Sequence, residues 1–219
     1  MKKKIDLNFY KTAVKLALPI AMQNLLTSCA ALIDTAMVVG LGDASVSAIG
    51  AAGRYSFLLN VICFGFASGC TSLLSQYWGA NERTNLKKTF GFALLISMSF
   101  SLIYALMLAL YPKALMFIFT DNETIAVLGS KYLRIYSIAV PFIVFAQTSC
   151  FAFRSIEKVN IPLISSVTSV CVNVFLNYCL IDGNLGFPAM GLEGAALASV
   201  TGYIIQALIM FAFSSNLLK

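Results

Sequence analysis

The 219-residue chain is 59% hydrophobic and only 11% charged, with a net charge of +6 and a mean hydropathy of +0.86. Too few charges remain to cover a water-facing surface, which excludes an ordinary soluble domain. The lack of histidine excludes a histidine-dependent zinc site or a Ser-His-Asp triad, and basic residues gathered between apolar blocks form no nucleic-acid-binding patch.

The apolar residues fall into six blocks, each long enough to cross roughly 30 Å of hydrocarbon at 1.5 Å per residue. They predict an all-α integral membrane protein, with six transmembrane helices forming one unit over residues 1–219. Helix one covers about 14–40. The preceding MKKK resembles the start of a signal peptide, but this run is too long for an h-region and contains Gln23, Asn24 and Asp34, so it is read as a retained helix. Pro19 inside it predicts a bend. Helix two covers about 54–78, and GANERTNLKK leads from it to helix three at 89–111. YPKALMFIFTDNET leads on to helix four at 125–153, which Pro141 is expected to bend. RSIEKVNIP separates it from helix five at 161–181. Pro162 suits the first turn there, where a missing N–H costs nothing. Helix six covers about 192–213. All six cysteines lie inside apolar blocks with no CxxC pair, and read as small reduced packing residues.

Orientation follows from lysine and arginine placement. Lys2, Lys3, Lys4, Lys11 and Lys15 share one side with Arg83, Lys87, Lys88, Arg154, Lys158 and Lys219, whereas Arg54, Lys113, Lys131 and Arg134 fall on the other. The positive-inside rule then puts both termini in the cytoplasm of a cell-membrane protein.

Polar side chains within the spans are the candidate functional residues. Asp34 is the only carboxylate well inside an apolar block. At mid-bilayer an ionised aspartate costs about 2.5–3.5 kcal/mol on insertion scales, so it normally faces a cavity or a partner. In helix five, Asn173 and Asn177 share one face through their i, i+4 spacing. Asp34 sits about 9 Å below the outer end of its helix. Asn173, Asn177, Ser199 of helix six and Tyr132 of helix four fall at a similar level. One carboxylate with several neutral oxygens suits a monovalent cation or a proton relay. Gln23 and Asn24, in the inner half of helix one, are candidates for a substrate path. Structural hydrogen bonding explains Gln23 and Asn24 at least as well, and Asn60 and Gln147 carry no more information.

At these residues the sequence resembles the multidrug and toxic compound extrusion (MATE) family. The resemblance begins with LALPIAMQNLLTSCAALIDTAMVVGLGDASVSAIGAAGR, runs through GCTSLLSQYWGANE, YLRIYSIAVPF and FRSIEKVNIP, and ends with NVFLNYCLIDGNLGFPAMGLEGAALAS. It implies an antiporter that expels organic cations or drugs, driven by inward Na+ or H+ flow, with no cofactor and with lipid as its surroundings. Asp34 matches the family's functional acid in helix one. Asn173, Asn177, Ser199 and Tyr132 match positions of its cation site. Some relatives carry aspartate where Asn177 stands, and the RSIEK loop departs from their glycine-containing form. Family members have about twelve helices in two lobes. The resemblance therefore implies an N-terminal six-helix lobe whose missing C-terminal six-helix lobe, or a second copy of the chain, supplies the opposing wall of the path.

Three other readings remain at this level. A flippase for a lipid-linked saccharide would show a more cationic central cavity, and most lysines and arginines map here to loops. A non-transporting assembly subunit would use Asp34 for packing alone. An intramembrane aspartyl protease needs two aspartates, so the chain is not expected to be an enzyme. The orientation has a direct check: a cysteine in the 182–191 loop should be labelled from outside, and one in the 81–88 segment should not. The reverse pattern would overturn the topology.

Overall fold

The computed structural model describes residues 7–218. Lys2, Lys3, Lys4 and Lys219, which contribute to the charge asymmetry, lie outside the described residues. The chain forms α1 (Leu7–Val38), α2 (Asp43–Gly79), α3 (Arg83–Leu110), α4 (Pro112–Met116), α5 (Glu123–Ser155), α6 (Asn160–Leu180) and α7 (Gly191–Leu218). Six of these are long and apolar enough to cross a membrane. The chain is a multi-pass, all-α membrane protein, and α4 is a short additional turn.

Several helices begin earlier than their apolar blocks do. The stretch 43–53 is the start of α2 and not a loop. Gly42, at φ +92°, makes the turn, and Asp43 then complements the positive N-terminal end of the helix dipole. Arg54 consequently sits inside α2, with its guanidinium 4.9 Å from the centre of the Phe119 ring. Likewise α1 begins at Leu7, and α3 begins at Arg83 and includes Lys87 and Lys88. Helical hydrogen bonding continues past the apolar boundary because nothing in these segments breaks it. Pro112 opens α4 at a first-turn position. Pro19 and Pro141 both lie within continuous helices.

α5 is the central element and packs on α2, α3, α4 and α7. Leu133, Tyr136, Val140 and Val144 of α5 join Tyr55 and Leu59 of α2 and Leu108 of α3 in the largest apolar cluster. A second cluster joins Phe153, Phe90, Leu74 and Met210. α7 packs on both α5 and α6, and α1 packs chiefly on α6. The helices thus form a curved wall in the order α1, α6, α7, α5 and α2, with a cleft between its two ends. All six cysteines are free: Cys63, Cys150 and Cys179 are buried, whereas Cys29 and Cys171 are exposed.

The α6–α7 contact depends on two glycines. A Cβ on Gly194 would stand 2.6 Å from the Leu180 carbonyl oxygen, and one on Gly202 would stand 3.0 Å from the Ser169 carbonyl oxygen. Ser169 Oγ donates to the Gly202 carbonyl at 2.8 Å, closing the same interface. Small residues that let backbones approach are the usual means of holding helices together in lipid, where burial from water contributes nothing. Gly194→Ala should therefore lower thermal stability by about 1–3 kcal/mol through overpacking. Gly91→Ala, with open space around its Cα, should cost nothing. Equal melting temperatures for the two variants in detergent would contradict this account.

Candidate functional site

The cleft contains a cavity of about 730 Å³ lined by α1, α2, α5, α6 and α7. That volume suits a drug-sized ligand, and its mainly apolar lining carries a set of amides. Gln23, Asn24, Asn60, Gln147, Asn173 and Gln206 all contribute amides.

α1 packs on the other helices through one narrow stripe, and the adjoining face lines the cavity. Between Tyr10 and Val38 only Gln23 and Val38 are fully buried, and the half-buried positions Leu16, Pro19, Ile20, Leu26, Ala30, Asp34 and Met37 recur every three or four residues. That is the period of a single helical face. Two polar rungs fix this face to α6. In the inner rung, toward the N-terminal end of α1, Gln23 Nε2 donates to Ser166 Oγ at 2.7 Å. In the outer rung, toward its C-terminal end, Asn177 Nδ2 donates to Asp34 Oδ1 at 2.5 Å. Both pairs are separated by 143 residues in the chain, so the two helices run parallel in one register. The rungs are eleven residues apart on each helix, about three turns or roughly 16 Å, which returns them to nearly the same face.

The outer rung is the centre of a larger cluster. Oriented to match donors with acceptors, Asn173 donates to Asp34 Oδ1 at 2.8 Å, and its oxygen accepts from the Ser199 hydroxyl at 3.3 Å. Tyr132 lies beside Ser199 and within electrostatic reach of Asp34, and stacks on Tyr136 at 5.9 Å. Asn177 Oδ1 is buried without a hydrogen-bond partner. An orphaned acceptor costs about 1–3 kcal/mol, and this one stands beside a carboxylate. Asp34, Asn173, Asn177, Ser199 and Tyr132 are therefore brought into one place.

The inner pair divides. Gln23 is buried and accepts from Arg154 Nη2 at 2.7 Å while donating to Ser166, so much of its hydrogen-bonding capacity goes to other helices. Asn24 is exposed and lines the cavity. On the opposite wall, Gln147 Nε2 donates to Asn60 Oδ1, tying α5 to α2.

Arg154, Ser166, Tyr203 and Gln206 are among the lining residues that the sequence did not single out. The spacing of Ser199, Tyr203 and Gln206 already puts them on one face of α7, a usable signal. Arg154 requires a correction. It is not a loop residue but belongs to the last turn of α5 and lines the cavity. The distribution of basic residues therefore no longer argues against a cationic cleft.

A helical membrane protein with a polar cleft walled on both sides by its own spans has the architecture of a transporter lobe. A family model described as MatE matches residues 19–179, and the chain belongs to that family. It is 26% identical over 216 residues to the probable multidrug resistance protein YoeA of Bacillus subtilis, covering 97% of this chain and 46% of that one. It is 26% identical over 199 residues to the probable multidrug resistance protein NorM of Thermotoga maritima, covering 90% and 42% respectively. In fold it is similar to a MATE crystallised in the straight conformation, with TM-score 0.87 and 19% identity over 97% of this chain and 47% of that one. It is equally similar to a MOP superfamily transporter from Pyrococcus furiosus, with TM-score 0.87 and 20% identity over 99% and 49%. The structure of that transporter is described as showing a binding pocket of reverse polarity that suggests a different function. The chain spans about half the length of the curated relatives it matches.

The inner rung and the residue beside it separate in a stability test. Gln23→Leu leaves Ser166 and Arg154 without their shared partner and should lower the melting temperature of the purified chain, by about 1–3 kcal/mol in stability. Asn24→Leu, one residue away on the exposed face, should not. Equal effects would show that the inner rung does not hold α1.

Proposed function

We propose that residues 1–219 form the N-terminal lobe of a cation-coupled antiporter that exports organic cations or drugs across the cell membrane, with both termini cytoplasmic. The observation that carries this reading is the Asp34 cluster. A single intramembrane acid receives two amide donors and stands beside a buried amide oxygen that has no partner. The cluster offers a cation one negative charge, the free Asn177 oxygen, and the Ser199 and Tyr132 hydroxyls nearby. Such a set offsets one positive charge with neutral oxygens completing the shell, which favours Na+ over H+.

Coupling requires the ion to bind the two transport conformations with different affinity. The cluster spans four helices: Asp34 on α1, Tyr132 on α5, the asparagines on α6 and Ser199 on α7. A cation drawn between them holds α1 against α6, and its departure leaves only hydrogen bonds. The opposing wall of the path comes from a second lobe, as the length of the relatives suggests, or from a second copy of the chain.

In the complete transporter, Asp34→Asn should abolish ion-driven efflux while leaving expression near normal, since the amide keeps the volume and removes the charge. Asn177→Ala should weaken cation affinity less, because one neutral ligand is lost and water takes its place. Transport by Asp34→Asn at the parental rate in proteoliposomes would show the site assignment to be wrong. Efflux that follows a pH gradient and ignores sodium would overturn only the choice of ion.

A further inference from the structure

The inner end of the cleft carries a charge that the coupling site does not use. Arg154 lines the cavity, and its polar contacts are to neutral groups. Nη2 donates to Gln23 Oε1 at 2.7 Å, the guanidinium stands 5.5 Å from the Phe151 ring centre, and Nε is buried without a partner. Among the described residues the ion pairs are Lys113–Glu123 and Lys131–Glu193, both far from Arg154 in the chain. Asp34 is no substitute, because the α1 rungs separate it from the Gln23 level by roughly 16 Å.

The surroundings present hydrogen-bond donors. Ser166 Oγ accepts from Gln23 at 2.7 Å and from Gln206 at 3.1 Å. With both lone pairs occupied, its hydroxyl proton remains to be donated. A guanidinium held in place by Gln23, with a hydroxyl donor on the adjoining helix, is matched to a planar oxyanion. A guanidinium lining a cavity between spans is normally paired, and among the described residues no carboxylate forms an ion pair with Arg154.

We infer that the Arg154 end of the cleft is an oxyanion subsite, so that drugs bearing a carboxylate or phosphate, zwitterions included, are held more tightly than cations lacking one. This rests on the reading that the cleft carries substrate. It differs from the coupling site in residue, charge and level. The substrate's acid docks at Arg154, its polar body meets the amides of the cleft, and Asp34 stays available to the coupling ion.

The test uses one dye in two charge states: rhodamine B, a zwitterion with a free carboxylate, and its ethyl ester, a cation. Each is titrated by fluorescence anisotropy into the purified chain in phosphatidylcholine nanodiscs. The free acid should bind about tenfold more tightly than the ester, as a charge-assisted pair requires. Arg154→Gln should weaken the acid and strengthen the ester, removing the preference from both directions. Arg154→Lys should keep its sign at reduced size. Equal binding of the two dyes by the parental chain, which needs no variant to measure, would overturn the inference, as would a preference that survives Arg154→Gln. A preference that vanishes on adding phosphatidylglycerol would assign the subsite to a lipid headgroup and overturn the substrate version. Asp34→Asn should leave the acid-over-ester ratio in place, so failure of the coupling reading and failure of this one are read separately.

Discussion

The register between α1 and α6 is the constraint on which the site depends. α1 has few other packing partners, and most of its surface is exposed. Two hydrogen bonds at an identical chain separation set its register, Gln23 to Ser166 and Asn177 to Asp34, with Arg154 and Asn173 adding one each. An eleven-residue interval falls close to a whole number of helical turns, so one straight face carries both. If α1 were held by apolar contact alone, its exposed surface would find lipid as acceptable as protein. The polar rungs are what make one rotation and one height better than the rest.

The other walls are fixed differently. α6 and α7 approach closely at Gly194 and Gly202, and α5 is buried on several sides by apolar side chains. That arrangement leaves a firm block formed by α5, α6 and α7, with α1 attached at one margin through polar groups. The candidate cation cluster lies across that attachment. A ligand there acts on the least firmly held helix of the lobe, where a modest interaction energy has the largest effect on position.

Much of this was legible in the sequence, for identifiable reasons. Apolar blocks announced six spans because lipid demands an unbroken apolar run. Asp34 stood out as the lone acid inside one of them, and the four-residue spacing of Asn173 and Asn177 put their amides on one face. Their levels could be matched by counting along helices of known direction. The signals failed where charge and hydropathy were used to end helices. Residues 43–53 and 83–88 are helical although glycine or charge interrupts the apolar run, because a helix does not stop at the hydrocarbon boundary. The same rule placed Arg154 in a loop, whereas one further turn of α5 carries it into the cleft. Ser166 and Gln206 were hidden for another reason. Hydroxyl and amide side chains are common in these spans, and only the packing of helices distant in sequence selects those that meet.

The fixed chain separation of the two rungs also limits how α1 can travel. Sliding α1 inward by one turn, about 5.4 Å, would bring Asp34 level with Asn173, an equivalent amide. Gln23 would then stand level with Pro162, which has no donor and a ring in place of a polar side chain. Sliding it outward by the same step would set Asp34 against Ile181 and Gln23 against Val170. Asp34 already accepts from both asparagines, so neither step offers it a fresh amide, and Gln23 would lose Ser166 in either direction. Axial travel of α1 therefore meets its firmest resistance at the level of Gln23.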